Sequence, residues 1–577
     1  MSVVLGLNAY HAGASAALVV DGKVVFGIAE ERLNRKKYYA GFPALSIRAC
    51  LKAAHLDFRD IDVVAVGRDS NANLTQKLAY VTRHPLLVTG LLKIRSSRKR
   101  LGNLRGEIAT SCGATASEMR FRQMNVEHHL AHTASAFLVS GYERAAGITI
   151  DGSGDFVTCM MSSCEGRSIR PLHRIFVPES LGSFYSMICQ FIGYRKYGDE
   201  GKVMGLAPLG TDRFRGAFQD MIQFENGQIR LNKDYFLPFG SDQGLTINDD
   251  GEMTLRRHYS EKVVDLFGPP RQPDTEITPR DMDLAFGLQQ RFEEVYFSLL
   301  NYLHALFPED RVVMAGGCAL NSVANGKIFD CTPFKATSIQ PAAGDEGLAL
   351  GAALYVARSM LGEGANEPLS SAYLGSEYDD ATIEGILKKQ RITYRRLERE
   401  ALLEATAAEI QKGAVIGWFQ GRSEWGPRAL GNRSILCHPG FPGMKDILNA
   451  RIKRREWFRP FAPAVLAERQ GDIFEHRFPS PFMLHVYRIR PQWRERLSAV
   501  THVDNTGRLQ TISRDQNPLY YDLISSFERR TGIPVLLNTS FNENEPVVEH
   551  PQEAVDCFLR TKMDVLVAGP FFCIKTS

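Results

Sequence analysis

The chain has 577 residues, of which 44% are hydrophobic and 23% are charged, and its formal net charge is +4. This length predicts two domains or one double-lobed unit, and the nearly balanced charge gives no global argument for a nucleic-acid or membrane partner. A basic run at residues 93–105 is the local exception, and we interpret it as a solvated loop. Scattered cysteines, no basic leader and no apolar run near ~18 residues together predict a cytoplasmic protein.

The chain opens with strand and turn signals. "VVLGLNA", "SAALVV" and "KVVFGIAEE" are apolar runs of strand length, and Asp21-Gly22 separates the second from the third. Asp-Gly between two apolar runs is a strong hairpin signal. A helix-like stretch, "PALSIRACLKAAHL", and a buried-type strand, "IDVVAVG", follow. We therefore predict an α/β lobe that begins with a hairpin.

A similar pattern returns near residue 146. "AAGITIDGSGDF" is predicted as a strand that ends in an Asp-Gly loop, and "VTCMMSS", the turn "CEGR" and another strand follow. Residues 282–307 are predicted as a long helix, "RVVMAGG" as a strand and "ALNSVANGKIF" as a helix. This repeat predicts two related α/β lobes with a cleft between them. A chance recurrence of a common hairpin-rich opening is the alternative.

The composition changes after residue 361. "GEGANEP" at residues 362–368 is polar and rich in Gly and Pro, as expected of a linker. Beyond it, "TAAEIQKGAVIGWFQG" predicts a helix and then a strand, opening an α/β unit that is dense in arginine and aromatic residues. We therefore predict domains at residues 1–361 and 370–577.

The stretch "EHHLAHTASAF" suggests a metal site. A helix here places His128 and His132 four residues apart on one face, where two imidazoles can share one ion. Asp151 follows a strand, and Asp345 precedes a small-residue helix, so both carboxylates are expected at loop positions. Two imidazoles and two carboxylates suit Fe(II), Mn(II) or Zn(II). The structural alternatives are a packed and solvated histidine pair, a turn-stabilising Asp151 and a helix-capping Asp345.

Two glycine loops follow apolar strands. They are "DGSGD" and "MAGGCALN", and the second contains Gly316, Gly317 and Asn321. Backbone amides in such loops can bind phosphate oxygens, although neither loop matches the Rossmann or Walker fingerprint. Two such loops, one in each half of a duplicated cleft, resemble the nucleotide-binding plan of actin and hexokinase.

A longer set of motifs resembles one family. In chain order the motifs are "HHLAH", "DGSGD", "GKVMGLAP", "AGGCALN", "GDEGLALGAA", "GRSEWGPRALGNRSIL", "KRREWFRPFAP" and "LNTSFNENEPVV". They resemble the ATP-dependent O-carbamoyltransferases, which act on nodulation factors, cephem antibiotics, aminoglycosides and ansamycins. The resemblance runs from about residue 3 to 572. It implies a duplicated, actin/hexokinase-like (Kae1-like) N-terminal domain and a YrdC/Sua5-like α/β C-terminal domain.

The resemblance implies a two-step reaction. The C-terminal domain is expected to form carbamoyladenylate from carbamoyl phosphate and ATP, with Mg(2+) accompanying the ATP. The N-terminal domain is expected to transfer the carbamoyl group to a hydroxyl of a natural product or glycan. The family's metal ligands, which carry Fe(2+), fall on His128, His132, Asp151 and Asp345. His129 is then expected to be a packing or supporting residue.

The C-terminal unit offers fixed cations for polyanionic substrates. Lys453 and Arg459 lie in "RIKRREWFRPF", Arg428 lies in "GPRALG" and Arg508 lies in "NTGRLQ". Arginine binds phosphate through a bidentate fork, and lysine acts as a point charge. Surface arginines are more commonly solvated, but the neighbouring Pro, Gly and aromatic residues indicate shaped, partly buried positions.

Asn538 and Ser540 follow a strand in "LNTSFN", where they can bind the nucleotide or the carbamoyl group. Family members commonly have Asn-x-Arg-Gly-Glu-Pro at the next positions, whereas this chain has "NENEP". A phosphate contact from an arginine in that loop is therefore not expected here.

His11 and Lys37 are the candidate catalytic residues of the N-terminal half. His11 lies in the first loop, where it can act as a general base toward the acceptor hydroxyl. A simple hydrogen-bonding role is the alternative, and the chain has one extra residue just after His11 relative to the family. Lys36 and Lys37 resemble the basic pair of the family that faces carbamoyladenylate, and Lys37 is the better match.

Two other functions stay open from the sequence. A threonylcarbamoyl-transfer enzyme of tRNA shares both domain types, although the charge balance argues against nucleic acid. A non-catalytic, actin-like adaptor switched by nucleotide explains the cleft but not the arginine-rich second unit. A metalloprotease fits poorly, because "HHLAH" lacks the glutamate of H-E-x-x-H. The acceptor and the oligomeric state cannot be predicted from these residues.

Overall fold

A computed structural model describes residues 1–83, 102–238, 245–248 and 250–575. The chain forms two compact units. Unit 1 consists of Met1–Asn34, Tyr38–Asn321 and Ile328–Leu369, and unit 2 consists of Arg35–Lys37, Ser322–Lys327 and Ser370–Ser577. Most of the basic run at residues 93–105 lies outside the described residues.

Unit 1 contains two sheets and two small hairpins. Its strands, in chain order, are β1 Val3–Asn8, β2 Ser15–Val20, β3 Lys23–Ala29, β4 Val63–Val66, β5 Arg122–Asn125, β6 Arg144–Gly154, β7 Val157–Glu165, β8 Ser168–Phe176, β9 Ile222–Glu225, β10 Gln228–Leu231, β11 Leu245–Ile247, β12 Met253–Leu255, β13 Arg311–Ala315 and β14 Ala336–Ile339. Within the described ranges, the helices of eight or more residues are Ala44–Ala53, Leu74–Arg83, Leu104–Ser111, His128–Phe137, Leu181–Phe191 and Pro279–Leu306.

The two sheets of unit 1 share one topology. The first has the order β3-β2-β1-β4-β5 and the second has the order β8-β7-β6-β13-β14. In each sheet the first three strands in the chain pair antiparallel. The fourth strand pairs parallel with the first, and the fifth pairs parallel with the fourth. The internal repeat predicted from the sequence is therefore confirmed as a duplicated α/β unit.

The turn between β2 and β3 consists of the predicted dipeptide. Asp21 and Gly22 have φ angles of 48° and 72°. A two-residue type I′ turn needs positive φ at both central residues, which glycine adopts freely and aspartate tolerates. The hairpin prediction is confirmed.

The helix predicted over "ALNSVANGKIF" is broken into short pieces, so that prediction is wrong. Helical turns span Ser322–Asn325 and Ile328–Cys331, and the segment Ser322–Lys327 belongs to unit 2. Within unit 2, Asn325 Nδ2 donates a hydrogen bond to the Leu484 carbonyl (2.9 Å). A Cβ on Gly326 would lie 1.9 Å from the Val486 carbonyl oxygen. This close contact with a strand interrupts the helix, and helical periodicity alone does not reveal it.

Two glycines allow one helix to lie close both to the first sheet and to a second helix. We call His128–Phe137 the histidine helix and Leu348–Leu354 the small-residue helix. A Cβ on Gly6 of β1 would lie 1.9 Å from the Ala349 carbonyl oxygen, and a Cβ on Gly351 would lie 1.9 Å from the Ala131 carbonyl oxygen. The small-residue helix therefore packs backbone to backbone against both β1 and the histidine helix.

Unit 2 is built on a mixed nine-stranded sheet with the order β15-β23-β22-β16-β17-β21-β18-β20-β19. The strands are β15 Arg395–Arg396, β16 Ile416–Phe419, β17 Arg433–Cys437, β18 Ala462–Leu466, β19 His485–Arg488, β20 Thr506–Ile512, β21 Val535–Ser540, β22 Val565–Ala568 and β23 Phe571–Ile574. The longer helices are Asp380–Lys389, Arg399–Gln411, Pro518–Thr531 and Pro551–Arg560. The helix and strand predicted in "TAAEIQKGAVIGWFQG" are confirmed.

The hydrophobic core of unit 2 lies on this sheet and includes the fully buried Trp418, Leu436 and Leu536. None of the helices in the described ranges combines the length and the hydropathy that a bilayer-crossing segment needs.

Candidate functional site

Four side chains predicted as metal ligands meet in unit 1. His128 and His132 project from the first turns of the histidine helix, Asp151 comes from β6, and Asp345 precedes the small-residue helix. Asp151 Oδ2 lies 3.2 Å from His128 Nε2 and 3.3 Å from His132 Nε2. Asp345 Oδ1 lies 3.7 Å and 3.5 Å from the same two nitrogens. One potential ligand atom from each residue lies within 4.8 Å of the other three.

The residues present fit a divalent transition metal. Both imidazoles are fully buried, and Asp345 is 6% exposed. Within the described part of the chain, His132 Nε2 and Asp345 Oδ1 are buried without a hydrogen bond of normal geometry. Buried polar atoms are rarely left in this state, and two imidazoles with two carboxylates form a donor set of intermediate hardness. The cluster can therefore hold one ion.

Electrostatics couple the four groups. Burial disfavours a charged ring, yet the attraction of Asp151 and Asp345 raises the pKa of His132 to about 9. Burial alone would raise the pKa of Asp151, but His128 and His132 hold it well below its usual range. Without metal, a proton on His132 therefore offsets part of the carboxylate charge. Metal binding displaces such a proton, so it is expected to release protons.

The backbone fixes two of these ligands. Gly152 N–H donates a hydrogen bond to Asp151 Oδ1 (2.7 Å), and Gly317 N–H donates to the same oxygen (3.3 Å). Asp151 lies inside β6 and not in the loop position expected from the sequence, and its Oδ2 faces the two cluster histidines. A Cβ on Gly154 would lie 2.0 Å from His128 Cγ, so glycine is needed for the loop to approach the imidazole.

Two acidic residues that the sequence did not single out hold the start of the histidine helix. Asp155 Oδ2 accepts hydrogen bonds from His128 N–H (3.0 Å) and Asp69 N–H (2.7 Å). Glu127 Oε2 accepts from Leu130 N–H (2.8 Å). Side-chain acceptors at a helix N-terminus satisfy backbone donors that have no partner inside the helix. Of the two, Asp155 is the last residue of the "DGSGD" motif and could have been found from the sequence.

His129 is a buried supporting residue outside the cluster. Its Nε2 lies 2.9 Å from the Val157 carbonyl oxygen, and its Nδ1 lies 2.7 Å from Thr149 Oγ1. Because a carbonyl only accepts, Nε2 carries the proton and Nδ1 accepts from the Thr149 hydroxyl. Burial holds the pKa of His129 well below its usual value, so the ring is neutral.

His11 lies next to the cluster. Its Nδ1 is 3.0 Å from Asp345 Oδ2, and its ring centroid is 5.4 Å from that of His128. The side chain is 20% exposed, so solvent reaches it. Asp345 thus faces His11 with one oxygen and the two cluster histidines with the other.

The second glycine loop supports this site. Gly316 has a φ of 91°, and a Cβ there would lie 2.4 Å from the Ile150 carbonyl oxygen, so only glycine fits. Gly317 directs its amide at Asp151, as described above. Asn321 is buried and exchanges two hydrogen bonds with the Gln289 amide (3.0 and 3.1 Å). In this structure the amides of Gly317 and Asn321 bind protein groups.

Unit 2 contains a cluster of arginines. Arg428 precedes β17, Arg455 and Arg459 precede β18, and Arg508 lies on β20. The pKa of Arg508 lies well below its usual value, first because of burial and then because of repulsion from the other three. Glu456 Oε2 lies 3.5 Å from Arg459 Nη1. Among the described residues, no carboxylate lies within 4.0 Å of Arg455 or Arg508. Arg455 was not predicted from the sequence.

Lys453 lies under this cluster and binds the loop after β21. It is 2% exposed, and its Nζ donates hydrogen bonds to Asn542 Oδ1 (2.7 Å), to the Asn542 carbonyl (2.9 Å) and to the Ser540 carbonyl. Burial, followed by repulsion from Arg455, places the pKa of Lys453 well below its usual value. Because an ammonium group has three protons, a direct phosphate contact would require one of these hydrogen bonds to break.

The remaining predicted residues surround the same loop. Asn538 is 1% exposed, donates to Gln510 Oε1 (2.9 Å), and has a buried Oδ1 without a hydrogen-bond partner in the described ranges. Ser540 Oγ donates to Asn542 Oδ1 (2.8 Å). Lys37, which belongs to unit 2, donates from Nζ to the Asn544 carbonyl (3.1 Å). Lys37 therefore contacts the "NENEP" segment in which this chain departs from the family.

Comparison with known protein families identifies the class of this chain. Residues 3–354 match the family described as carbamoyltransferase N-terminus, and residues 407–575 match the family described as carbamoyltransferase C-terminus. Together these matches span most of the chain. The chain belongs to the carbamoyltransferase family.

Individual relatives agree with this assignment. The chain is 38% identical to nodulation protein NolNO of Sinorhizobium fredii, covering 98% of this chain and 80% of that protein. It is 38% identical to nodulation protein NolO of Bradyrhizobium diazoefficiens, covering 78% and 79%. It is 36% identical to the uncharacterized protein sll1178 of Synechocystis, covering 100% and 97%.

Proposed function

We propose that this protein is an ATP-dependent O-carbamoyltransferase that takes the carbamoyl group from carbamoyl phosphate and transfers it to a hydroxyl of a natural product or glycan. The observation that carries the proposal is the arginine cluster of unit 2, which has fewer carboxylates than cations around it. Carbamoyl phosphate, ATP and pyrophosphate are polyanions, and they bind best to cations fixed in advance. The acceptor class is taken from the family resemblance, and two of the relatives are nodulation proteins.

In this proposal unit 2 is the YrdC-like domain that forms carbamoyladenylate. Carbamoyl phosphate, ATP and one water give carbamoyladenylate, pyrophosphate and inorganic phosphate, with Mg(2+) bound to the ATP phosphates. Arg428, Arg459 and Arg508 bind phosphate oxygens. Asn538 and Ser540, at the end of β21, bind the nucleotide or the carbamoyl group. Lys453 acts by holding the loop that contains Ser540.

Unit 1 is the Kae1-like domain that transfers the carbamoyl group. The contact between His11 Nδ1 and Asp345 Oδ2 (3.0 Å) supports a ring proton on Nδ1, which leaves Nε2 to accept the proton of the acceptor hydroxyl. The hydroxyl oxygen then bonds to the carbamoyl carbon, and the bond from that carbon to the adenylate oxygen breaks, releasing AMP. In unit 2, Lys37 supplies a cation for the adenylate phosphate. The loop that contains Gly316, Gly317 and Asn321 is the cofactor-binding segment of this unit in the proposal, and Gly317 N–H contacts Asp151.

His128, His132, Asp151 and Asp345 would hold the metal ion, which the family resemblance suggests is Fe(2+). Such an ion would supply Lewis-acid polarisation of an oxygen in the reacting group. The protein contributes the fixed positions of the ligands. Gly152 and Gly317 orient Asp151, and Asp155 holds the backbone of His128.

The proposal is tested by incubating the purified protein with ATP, carbamoyl phosphate and a panel of sugars, glycans and hydroxylated natural products. We expect AMP and pyrophosphate in equal amounts, and an acceptor that gains the mass of one carbamoyl group. An Arg508→Gln variant serves as the control, because it removes a cation from the cluster and should abolish pyrophosphate release. Formation of ADP in place of AMP would contradict the proposal.

A further inference from the structure

Arg455 is held in a fixed position by neutral groups. Its Nε donates a hydrogen bond to Asn449 Oδ1 (2.9 Å), and one of its terminal nitrogens, Nη2, donates to the Pro460 carbonyl (3.5 Å). Its guanidinium carbon lies 4.6 Å from the centre of the Phe461 ring, within the range of a cation–π contact. These three contacts fix the guanidinium plane before any ligand binds.

The fixed guanidinium has no counter-ion in the described part of the chain. No carboxylate there lies within 4.0 Å of it, and Nη1 makes no hydrogen bond to a described residue. Its cationic neighbours are Lys453, Arg459 and Arg508. The one anion that acts on it, Glu456 among the described residues, lies beyond 4.0 Å and pairs with Arg459. Burial and then Arg459 lower the pKa of Arg455 to about 9, so the group stays charged at neutral pH.

A half-buried cation among like charges is unfavourable unless an anion binds beside it. The contrast with Lys453 is informative, because Lys453 uses its three protons inside the protein whereas Arg455 keeps Nη1 available. The contrast with Arg454 is similar, since that exposed neighbour pairs with Glu543 (3.0 Å). Arg455 therefore has the position and the unused donor of a ligand-binding arginine.

We propose that Arg455 is a phosphate-binding residue of unit 2, and that its Nη1 edge donates to a phosphate oxygen of ATP or of carbamoyl phosphate. This inference rests on the proposed function for the identity of the two ligands. The shared chemistry is a phosphate oxyanion, and the two sources are separated by the experiment below. Asn449, Pro460 and Phe461 act as the frame that aims the guanidinium.

The test measures equilibrium binding by calorimetry for Mg(2+)-ATP, carbamoyl phosphate and pyrophosphate, each alone. Arg455→Gln should weaken at least one ligand by about tenfold or more, the usual effect of losing a charge-assisted hydrogen bond. Arg455→Lys should recover part of that loss, because it keeps the charge. Weaker ATP and pyrophosphate binding assigns the nucleotide phosphates, and weaker carbamoyl phosphate binding assigns the second source. The matched control, Arg454→Gln, should bind all three ligands as the wild type does.

Thermal unfolding without ligand separates this role from a structural one. Removing one of several like charges should leave the melting temperature of Arg455→Gln unchanged or higher, whereas losing a structural brace should lower it. Affinities within about twofold of the wild type for all three ligands would overturn the proposal. A lowered melting temperature in both Arg455 variants, with lysine restoring no affinity, would also overturn it.

The binding assay does not depend on turnover. If the wild type binds these ligands but forms no carbamoyladenylate, the proposed function fails while the result for Arg455 stands. If the wild type binds none of the three, the proposal for Arg455 fails.

Discussion

The imidazoles of His128 and His132 are buried side by side with two carboxylates. This arrangement predicts that substitution of any one of these ligands lowers the metal content of the protein. His132→Ala or Asp345→Ala removes one of four ligands. Each should reduce the bound metal at least about tenfold, because even changes to residues behind the ligands cost 10–100-fold in affinity. Elemental analysis of anaerobically purified protein measures the effect.

His129→Gln is the matched control for this prediction. The ring of His129 hydrogen-bonds with Thr149 and Val157 and packs against the rings of His128 and His132 without sharing a ligand atom. Glutamine at this position should therefore leave the four ligands and the metal content unchanged. It should lower the free energy of unfolding by about 1–3 kcal/mol, because buried partners lose their hydrogen bonds. Equal metal content in wild type and His132→Ala would exclude the assigned site.

The sequence allowed the cluster to be predicted because chemistry restricts it. Imidazoles four residues apart on a helix must share a face, Asp151 lies near the end of β6, and Asp345 directly precedes the small-residue helix. Arg455 could not be separated from its basic neighbours in the same way. Arg455 differs from these neighbours in its hydrogen bond to Asn449 and in having no described carboxylate within 4.0 Å. Both features depend on distances between atoms, which the spacing of residues in the sequence does not give. The buried position of Lys453 was hidden for the same reason.

At the scale of elements, the close contact between the small-residue helix and the histidine helix predicts a strong effect at Gly351. A Cβ there would lie 1.9 Å from the Ala131 carbonyl oxygen, so Gly351→Ala must push the two helices apart. We expect a loss of about 1–3 kcal/mol in the free energy of unfolding, the usual cost of overpacking. Metal affinity should fall as well, because Asp345 and the two histidines flank this contact. Chemical denaturation and metal titration measure the two effects.

Gly385→Ala is the control for a helical glycine. Gly385 lies in the helix Asp380–Lys389, and a Cβ there would meet nothing within 4 Å. This variant should gain about 0.5–1 kcal/mol from helix propensity and keep its metal. If Gly351→Ala is as stable as the wild type, the helices are not in the contact described.

Elements were predictable where the signal is local. Apolar runs of strand length and the Asp21-Gly22 turn are properties of neighbouring residues, and the hairpin of β2 and β3 follows them. The stretch "ALNSVANGKIF" has helical periodicity too, yet Asn325 and Gly326 bind a strand about 160 residues away in the chain and break the helix. Such long-range contacts override propensity.

At the scale of the whole molecule, the two candidate sites lie in different compact units, so their partial reactions should separate. His11→Asn keeps a group that can contact Asp345 but provides no proton acceptor of suitable basicity. It should leave ATP-dependent pyrophosphate release near the wild-type level and slow carbamoyl transfer by about 100-fold or more. Arg508→Gln should lose pyrophosphate release and keep its metal. Quantifying pyrophosphate, carbamoylated product and metal in the same preparations tests both variants.

His55→Asn, an exposed histidine of unit 1, is the control for His11→Asn and should behave as the wild type. Transfer at the wild-type rate by His11→Asn would remove His11 from the reaction.

The sequence allowed the two sheets of unit 1 to be predicted only as a repeat of strands. Their pairing, with β4 and β13 added parallel to the first strand of each set, needs the crossover helices that follow each hairpin.

Asp345 faces His11 with one oxygen and the two cluster histidines with the other. In evolutionary terms, position 345 is constrained by both features at once. A substitution there disturbs the base and the ion site together, and glutamate, with one more methylene, would move both contacts at once. A descendant of this chain can therefore lose both features in one mutational step. Losing one feature while preserving the other instead requires a substitution at a residue that serves only one of them, such as His11 for the base or His132 for the ion site.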